Sequence, residues 1–286
     1  MKDPKIAIII TTYSQDKLVE KNISSIKKNA GHKNYKIYLI DDSSELNIGN
    51  KIKKKFPFVR ILINKENLGF SKSNNIAIEK ARKEYNPDFF LIFNDDCEFI
   101  QKDFLKKFVS KTHEFKKTGI FGCKIIYPNK NMQWGVKNNK TYLFTKDNKK
   151  EKNKEFSKIN LSDEVMGAFM FIRKEVFEEI GLFDESFSPF YGEESDLCFR
   201  AIKKDWQITY LGGFEVIHHR NKSIGKFSKE EVWFIRKRNS IKLERKHYSF
   251  FKRNYYLLVH LGSLMKKEGI PFSRKLKLLF KAYFFK

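Results

Sequence analysis
The stretch that decides the fold is Phe89–Asp96, FFLIFNDD. Five apolar residues in a row read as a strand buried on both faces. They run straight into Asn94-Asp95-Asp96, a polar turn at the strand's carboxyl end. The same arrangement occurs twice upstream. Lys5–Thr12 (KIAIIITT) leads into Tyr13 and Ser14, and Tyr35–Ile40 (YKIYLI) leads into Asp41-Asp42-Ser43-Ser44. Val59–Ile63 is a shorter candidate strand. Between these strands lie segments with helical spacing at 16–30, 46–55 and 71–84. Such alternation predicts an α/β fold, a doubly wound and mostly parallel sheet with right-handed crossovers. Ligands of such sheets bind beyond the carboxyl ends of the strands, where the polar clusters stand.

The second half reads differently. Residues 128–160 are rich in Lys and Asn, which predicts a surface loop. Val165–Phe171 reads as a strand, and the following helix is capped by Gly181. A further helix starts near Glu193, with Glu193, Glu194 and Asp196 in its first turn. Ile208–Leu211 and Phe214–Ile217 are strand-like and lead into His218-His219. From about residue 230 the chain is helical and basic, which divides it into an expected catalytic domain, 1–228, and a tail, 229–286.

Composition bounds the function. The 286 residues carry 58 Lys and Arg against 34 Asp and Glu, a net charge of +24. With 41% apolar residues and 29 phenylalanines the chain buries a core and is not disordered. Cys97, Cys123 and Cys198 lack CxxC spacing, which speaks against a zinc ribbon or a disulfide framework and for a reducing compartment. No apolar run reaches the ~18 residues that span a bilayer. The charge is uneven: residues 220–286 hold 19 basic and 4 acidic residues. In Pro271–Lys286, the positions Phe272, Leu276, Leu279, Phe280 and Tyr283 recur at helical spacing, with Arg274, Lys275 and Lys281 elsewhere on the helix. A similar mix surrounds YYLLVHLGSLM. This pattern predicts an amphipathic helix on an anionic membrane surface. No recognisable nucleic-acid module accompanies the charge, so no nucleic-acid partner is expected.

Three clusters carry the chemistry. An isolated Asn-Asp-Asp is an ordinary turn, but Asp41-Asp42 ends a neighbouring strand, and the two acidic groups would share one crevice suited to a cation and a diphosphate. Asn67–Asn75 (NLGFSKSNN) joins strand to helix through Gly69, with Lys72 placed to meet phosphates. Glu193-Glu194-Ser195-Asp196 crowds three carboxylates, which raises the pKa of at least one and suits a general base.

Taken together, these motifs resemble the family 2 inverting glycosyltransferases of the GT-A fold, in particular the bacterial rhamnosyltransferase-like branch. The resemblance covers roughly residues 5–225, and its most specific block is GAF…GLFDE…EESDLCFR. It implies that Thr12 and Tyr13 flank the nucleobase and that Asp41 bonds its ring. It places Asn67, Gly69, Lys72, Asn94 and Asp95 around the nucleotide sugar. Asp96 and His218 would hold Mg²⁺ or Mn²⁺. Asn94 stands where the family has an outer Asp. The base falls among Glu194, Glu193 and Asp196, since Glu194 occupies a position that is usually Asp. The resemblance further implies a UDP- or dTDP-sugar donor, tilted toward dTDP-rhamnose, and a cell-envelope glycan or lipid-linked acceptor such as capsule or lipopolysaccharide. The expected location is cytoplasmic, peripheral on the inner face of the membrane. The Phe-rich surfaces leave an oligomer open. The two departures, Asn94 and Glu194, keep a second reading in view: a catalytically weak nucleotide-sugar-binding partner in a glycan assembly complex.

Overall fold
The computed structural model describes residues 3–13, 15–43, 46–134, 157–220, 227–265 and 269–284. Four strands, β1 (Ile6–Thr12), β2 (Tyr35–Asp41), β3 (Arg60–Ile63) and β4 (Phe89–Phe93), pair in parallel in the order β3-β2-β1-β4. Their crossovers are α1 (Asp16–Asn29), α2 (Ile48–Lys55) and α3 (Gly69–Tyr85). β1 is buried along nearly its whole length because helices cover both faces. Its alternate side chains divide between two cores. Ile6, Ile8 and Ile10 meet Val19, Ile23 and Ile26 of α1, while Ala7 and Ile9 meet Ala77, Ile78 and Ala81 of α3.

Beyond β4 the sheet becomes mixed. β5 (Cys97–Phe99), α4 (Phe104–Thr112) and β6 (Thr118–Ile126) follow β4, and β7 (Met132–Trp134) folds back on β6. β8 (Ile159–Ser162) pairs with β10 (Gln207–His218). β9 (Phe169–Arg173) inserts antiparallel between β4 and β6. β10 runs parallel to β6 and antiparallel to β5. The parallel order expected from the sequence therefore holds for the first four strands and gives way to a mixed extension.

Two local expectations shift. The strand expected from Val165 starts at Phe169, because Gly167-Ala168 forms a turn. The two short strands around Gly212-Gly213 are one strand, β10, with a register shift between Leu211 and Glu215. Of the expected loop at 128–160, residues 135–156 lie outside the described residues. α5 (Lys174–Ile180) ends at Gly181, whose φ is 76°, and α6 (Glu193–Ile202) starts at Gly192, φ 100°. A side chain at Gly192 would collide with the Phe187 ring, 2.9 Å away.

The basic tail is three helices, α7 (Lys229–His247), α8 (Phe250–Ser263) and α9 (Phe272–Phe284). A capping box between Ser228 and Glu231 starts α7. Trp233 and Ile241 of α7, Leu264, and Leu279 of α9 form a small core of their own. The expected apolar stripe of α9 thus splits. Leu279 packs inward, while Phe272, Leu276 and Phe280 face solvent. Lys275 is fully buried and not part of a solvated cationic face.

Candidate active site
The carboxyl ends of β1, β4 and β10, the turn before β9 and the first turn of α6 enclose a cleft of about 760 Å³. Thr12, Tyr13, Asn67, Gly69, Asn94, Asp95, Asp96, Glu193, Glu194 and His218 all line it. These residues come from five separate stretches of chain.

The Asn94-Asp95-Asp96 turn is held from three sides. Asn22 of α1 donates to Asn94 O (2.9 Å) and Cys97 O (2.8 Å), and Asn94 N donates to Ala168 O (3.1 Å). Thr12 Oγ1 donates to Asp95 Oδ2 at 2.7 Å. Burial, together with the neighbouring Asp96 carboxylate, pushes the Asp95 pKa up, although the Thr12 hydroxyl and the Tyr13 amide oppose this. The end of β10 is clipped to the same turn: His219 N donates to Asp96 O (2.9 Å), and His218 Nε2 lies 3.1 Å from Asp96 Oδ1. Gln133 Oε1 sits 2.6 Å from His218 Nδ1 and orients the ring.

Ligand-capable atoms of Asp96, Cys97 and His218 lie within 4.8 Å of one another. Cys97 does not fit this set. Its thiol donates to Ala168 O at 3.5 Å, and burial pushes its pKa well up. A carboxylate oxygen and an imidazole nitrogen remain, both common ligands of divalent metals. The residues therefore fit a divalent cation.

From its first turn, α6 presents Glu193 and Glu194 to the same cleft. Glu193 is buried, its Oε2 has no hydrogen-bond partner, and burial followed by the Glu194 charge pushes its pKa well up. Glu194 is half-buried. Phe190 and Tyr191 stand beside them edge to face, with Phe227 against Phe190. Arg236 of α7 caps the Tyr191 ring at 4.6 Å and donates to its hydroxyl at 2.7 Å.

Three of the expected site residues lie elsewhere. Asp41 is fully buried beneath the cleft, accepting from Ser43 N (3.0 Å) and Gly49 N (2.7 Å), so it caps the start of α2. Its neighbour Asp42 lines the cleft instead and holds the Asn67–Gly69 turn by accepting from Leu68 N and Gly69 N, both 3.0 Å. Lys72 is exposed on α3, outside the cleft. Asp196 is fully buried on the far side of α6, bonded to Arg200 (2.7 Å), Lys246 (2.7 Å) and His247 (2.8 Å).

Several residues went unread in the sequence. Asn239 of α7 donates to Phe187 O (2.6 Å), Phe190 O (2.9 Å) and Tyr191 O (2.8 Å), and so pins the aromatic wall. Gln133 and Arg236 were unread as well. An asparagine among arginines carries no signal of its own; only the carbonyls that it meets give it a role.

Comparison with known proteins places this arrangement. Residues 7–181 match the family model described as glycosyl transferase family 2. A low-salt glycan biosynthesis hexosyltransferase of Haloferax volcanii is 25% identical over 167 residues, which cover 54% of this chain and 50% of that protein. An uncharacterised glycosyltransferase of Haemophilus influenzae is 32% identical over 110 residues, 37% of this chain and 42% of that one. An uncharacterised Sinorhizobium fredii protein is 24% identical over 237 residues, covering 78% of this chain and 25% of its own length. The chain thus spans between a quarter and a half of these relatives. Among solved structures, GalNAc-T7 with UDP, GalNAc and Mn²⁺ aligns with a TM-score of 0.66 at 14% identity, over 98% of this chain and 54% of that one. A Pyrobaculum calidifontis mannosyltransferase in complex with GDP-Man and Mn²⁺ aligns at 0.58 and 12%, over 86% and 64%. These likenesses show the fold, the GT-A architecture expected from the sequence.

Proposed function
The chain belongs to glycosyl transferase family 2, and from that premise we propose that it moves a sugar from a nucleotide-diphosphate sugar to a hydroxyl of an envelope glycan or lipid-linked acceptor, with inversion at the anomeric carbon. The observation that carries this reading is that two acidic groups from separate segments line one cleft. Asp95, Asp96 and His218 from the ends of β4 and β10, and Glu193 and Glu194 from the first turn of α6, line the same cleft.

The two groups divide the work. The acceptor oxygen attacks the anomeric carbon as the bond to the diphosphate oxygen breaks, and the hydroxyl proton passes to a carboxylate. Glu194 is the proposed base. It faces the cleft and is partly open to water, whereas the Glu193 carboxyl is held toward its protonated form. Asp196 is not the proposed base, because Arg200, Lys246 and His247 all bond to it on the other side of the helix. Asp96 and His218 would hold Mn²⁺ or Mg²⁺, which neutralises charge on the departing diphosphate. Thr12, Tyr13, Asn67 and Gly69 would shape the nucleotide end.

The donor is proposed among UDP- and dTDP-sugars, with dTDP-rhamnose first. The enzyme would work at the cytoplasmic face of the membrane, peripherally bound through its basic tail from residue 229 onward. A thermal-shift screen of nucleotide sugars with Mn²⁺ and with Mg²⁺ tests the donor, since a ligand of the folded state raises its apparent stability. A panel in which no nucleotide sugar moves the melting temperature would overturn the proposal. A shift without release of nucleotide in the presence of acceptor would favour a sugar-nucleotide-binding partner over an enzyme.

A further inference from the structure
The tail exposes a surface that the cleft does not explain. Between residues 250 and 265 every exposed position is uncharged, and all but Asn254 and Gly262 are apolar or aromatic. Phe251, Leu258 and Met265 are the most open, at 84%, 67% and 77% of their surface. In a chain that is 32% charged this is a marked local exclusion of charge. At 100° per residue the exposed positions fall within one half of the helix circumference. The other half of α8 is anchored: His260 Nε2 lies 2.9 Å from Glu244 Oε1 of α7, and Ser263 and Leu264 are buried.

Resting on the peripheral-membrane reading above, we propose that α8, and not the terminal α9, is the element that inserts into the interface of an anionic bilayer. Two observations select this occupant. Charge complementarity is the first. Residues 220–286 carry 19 basic against 4 acidic residues, and Lys252 and Arg253 flank the apolar face at one end while Lys266-Lys267 follow it in sequence. Two copies of so cationic a segment would repel each other face to face, and a nucleic acid would require cations on the face itself. Length is the second. The 14 residues of α8 extend about 21 Å, and among the described residues no helix is long and apolar enough to cross a membrane. A helix of this kind lies in the plane of the headgroups with its apolar half submerged. α9 is the weaker candidate, because Leu279 and Ala282 are committed to the tail's own core and Arg274 is paired with Glu230 at 2.7 Å.

The test is flotation of the full-length protein with vesicles of mixed phosphatidylcholine and phosphatidylglycerol, against vesicles of phosphatidylcholine alone. The wild type should float with the anionic vesicles only. Phe251→Glu/Leu258→Glu should lower the bound fraction at least about tenfold, since two large apolar groups no longer leave water. Its thermal melt should be unchanged, because both positions are exposed. Phe251→Ser/Leu258→Ser replaces that variant if the glutamates disturb folding. Leu276→Glu/Phe280→Glu on α9 should retain most of the binding. Loss with the α9 variant alone would remove α8 from this role and leave the membrane reading standing. Absence of binding by the wild type would remove both. If the α8 variant converts a dimer to a monomer with vesicle binding unmoved, a second copy covers the face and the proposal falls.

Discussion

Asn239→Ala tests whether the tail is part of the active-site wall or merely attached to it. Asn239 is 1% exposed, and its amide donates to Phe187 O, Phe190 O and Tyr191 O. One amide has two hydrogens, so about two full bonds are shared among three carbonyls. Each contributes roughly 0.5–1.5 kcal/mol net. The carbonyls left behind add to the loss where water cannot replace the amide. Phe187 is fully buried, whereas Phe190 and Tyr191 are half-buried, so one carbonyl of the three is stranded in a dry site. Its uncompensated desolvation costs roughly 1–3 kcal/mol. The sum is roughly 2–6 kcal/mol, which at about 2 °C per kcal/mol for a chain of this size lowers the melting temperature by roughly 4–12 °C. A second readout separates the wall from generic stability. With Phe190 and Tyr191 released, KM for the acceptor should rise, while nucleotide affinity, proposed to rest on Thr12, Tyr13, Asn67 and Gly69, should hold. The checks are a thermal melt and steady-state kinetics on the purified variant. A melt within about a degree of wild type, with acceptor KM unmoved, would refute the pinning role.

Three further outcomes are expected. Glu194→Gln should remove transfer while nucleotide-sugar binding in a calorimeter stays near wild type; unchanged turnover would remove Glu194 as the base. His218→Ala should weaken Mn²⁺ binding, read by electron paramagnetic resonance, at least about tenfold; equal Mn²⁺ affinity would take His218 out of the metal site. Glu193→Gln should stabilise the protein at neutral pH. The folded Glu193 binds its proton more tightly than the unfolded one, so wild-type stability falls as pH rises from the ordinary carboxyl range, about 4.3, through the raised folded value. The variant's advantage should therefore be largest at pH 7–8 and fade toward pH 4. A wild type that is the more stable form at pH 8 would contradict the assignment.

The legibility of the fold followed burial. β1, β2 and β4 are visible as unbroken apolar runs because both faces are covered. β6 is just as buried, but its sequence TGIFGCKII hides it. Gly119 is there because Val176 and Trp206 fill the space of a side chain, and Gly122 because Val165 does. Lys124, 4% exposed, is tolerated because Glu215 neutralises it at 2.7 Å. None of these reasons can be read locally. The same holds for β10, which Gly212-Gly213 makes look like two strands. In the site, the acids at strand ends were legible because a parallel sheet delivers its carboxyl ends to one edge. The difference between Asp41 and Asp42 was not. It depends on which carboxylate the amides of Ser43 and Gly49 claim, and on which one the amides of Leu68 and Gly69 claim.

The first turn of α6 shows how near the boundary of legibility lies. Residues two apart on a helix point about 200° from each other, so Glu194 and Asp196 could never have shared one wall of a cleft. Once Glu194 faces the cleft, Asp196 must face α7. There, burial alone would raise its pKa, but the bonds from His247 and Lys246 and the Arg200 ion pair hold it below the ordinary carboxylate range. Glu193, raised by its burial and by the Glu194 charge, shifts the other way. One turn of helix thus holds one acid toward its charged form as a tether to the tail, and another toward its neutral form at the edge of the cleft. Glu194, between them in sequence and half-open to water, is the carboxylate proposed as the base. The tether has a consequence for the whole enzyme. His247 and Lys246 end α7, α8 begins at Phe250, and Asp196 lies on the helix that carries the proposed base. The proposed membrane contact is therefore joined through two residues, Tyr248 and Ser249, and one ion cluster to the helix of the proposed base, so a lipid-borne acceptor and that base would be positioned by the same short piece of chain.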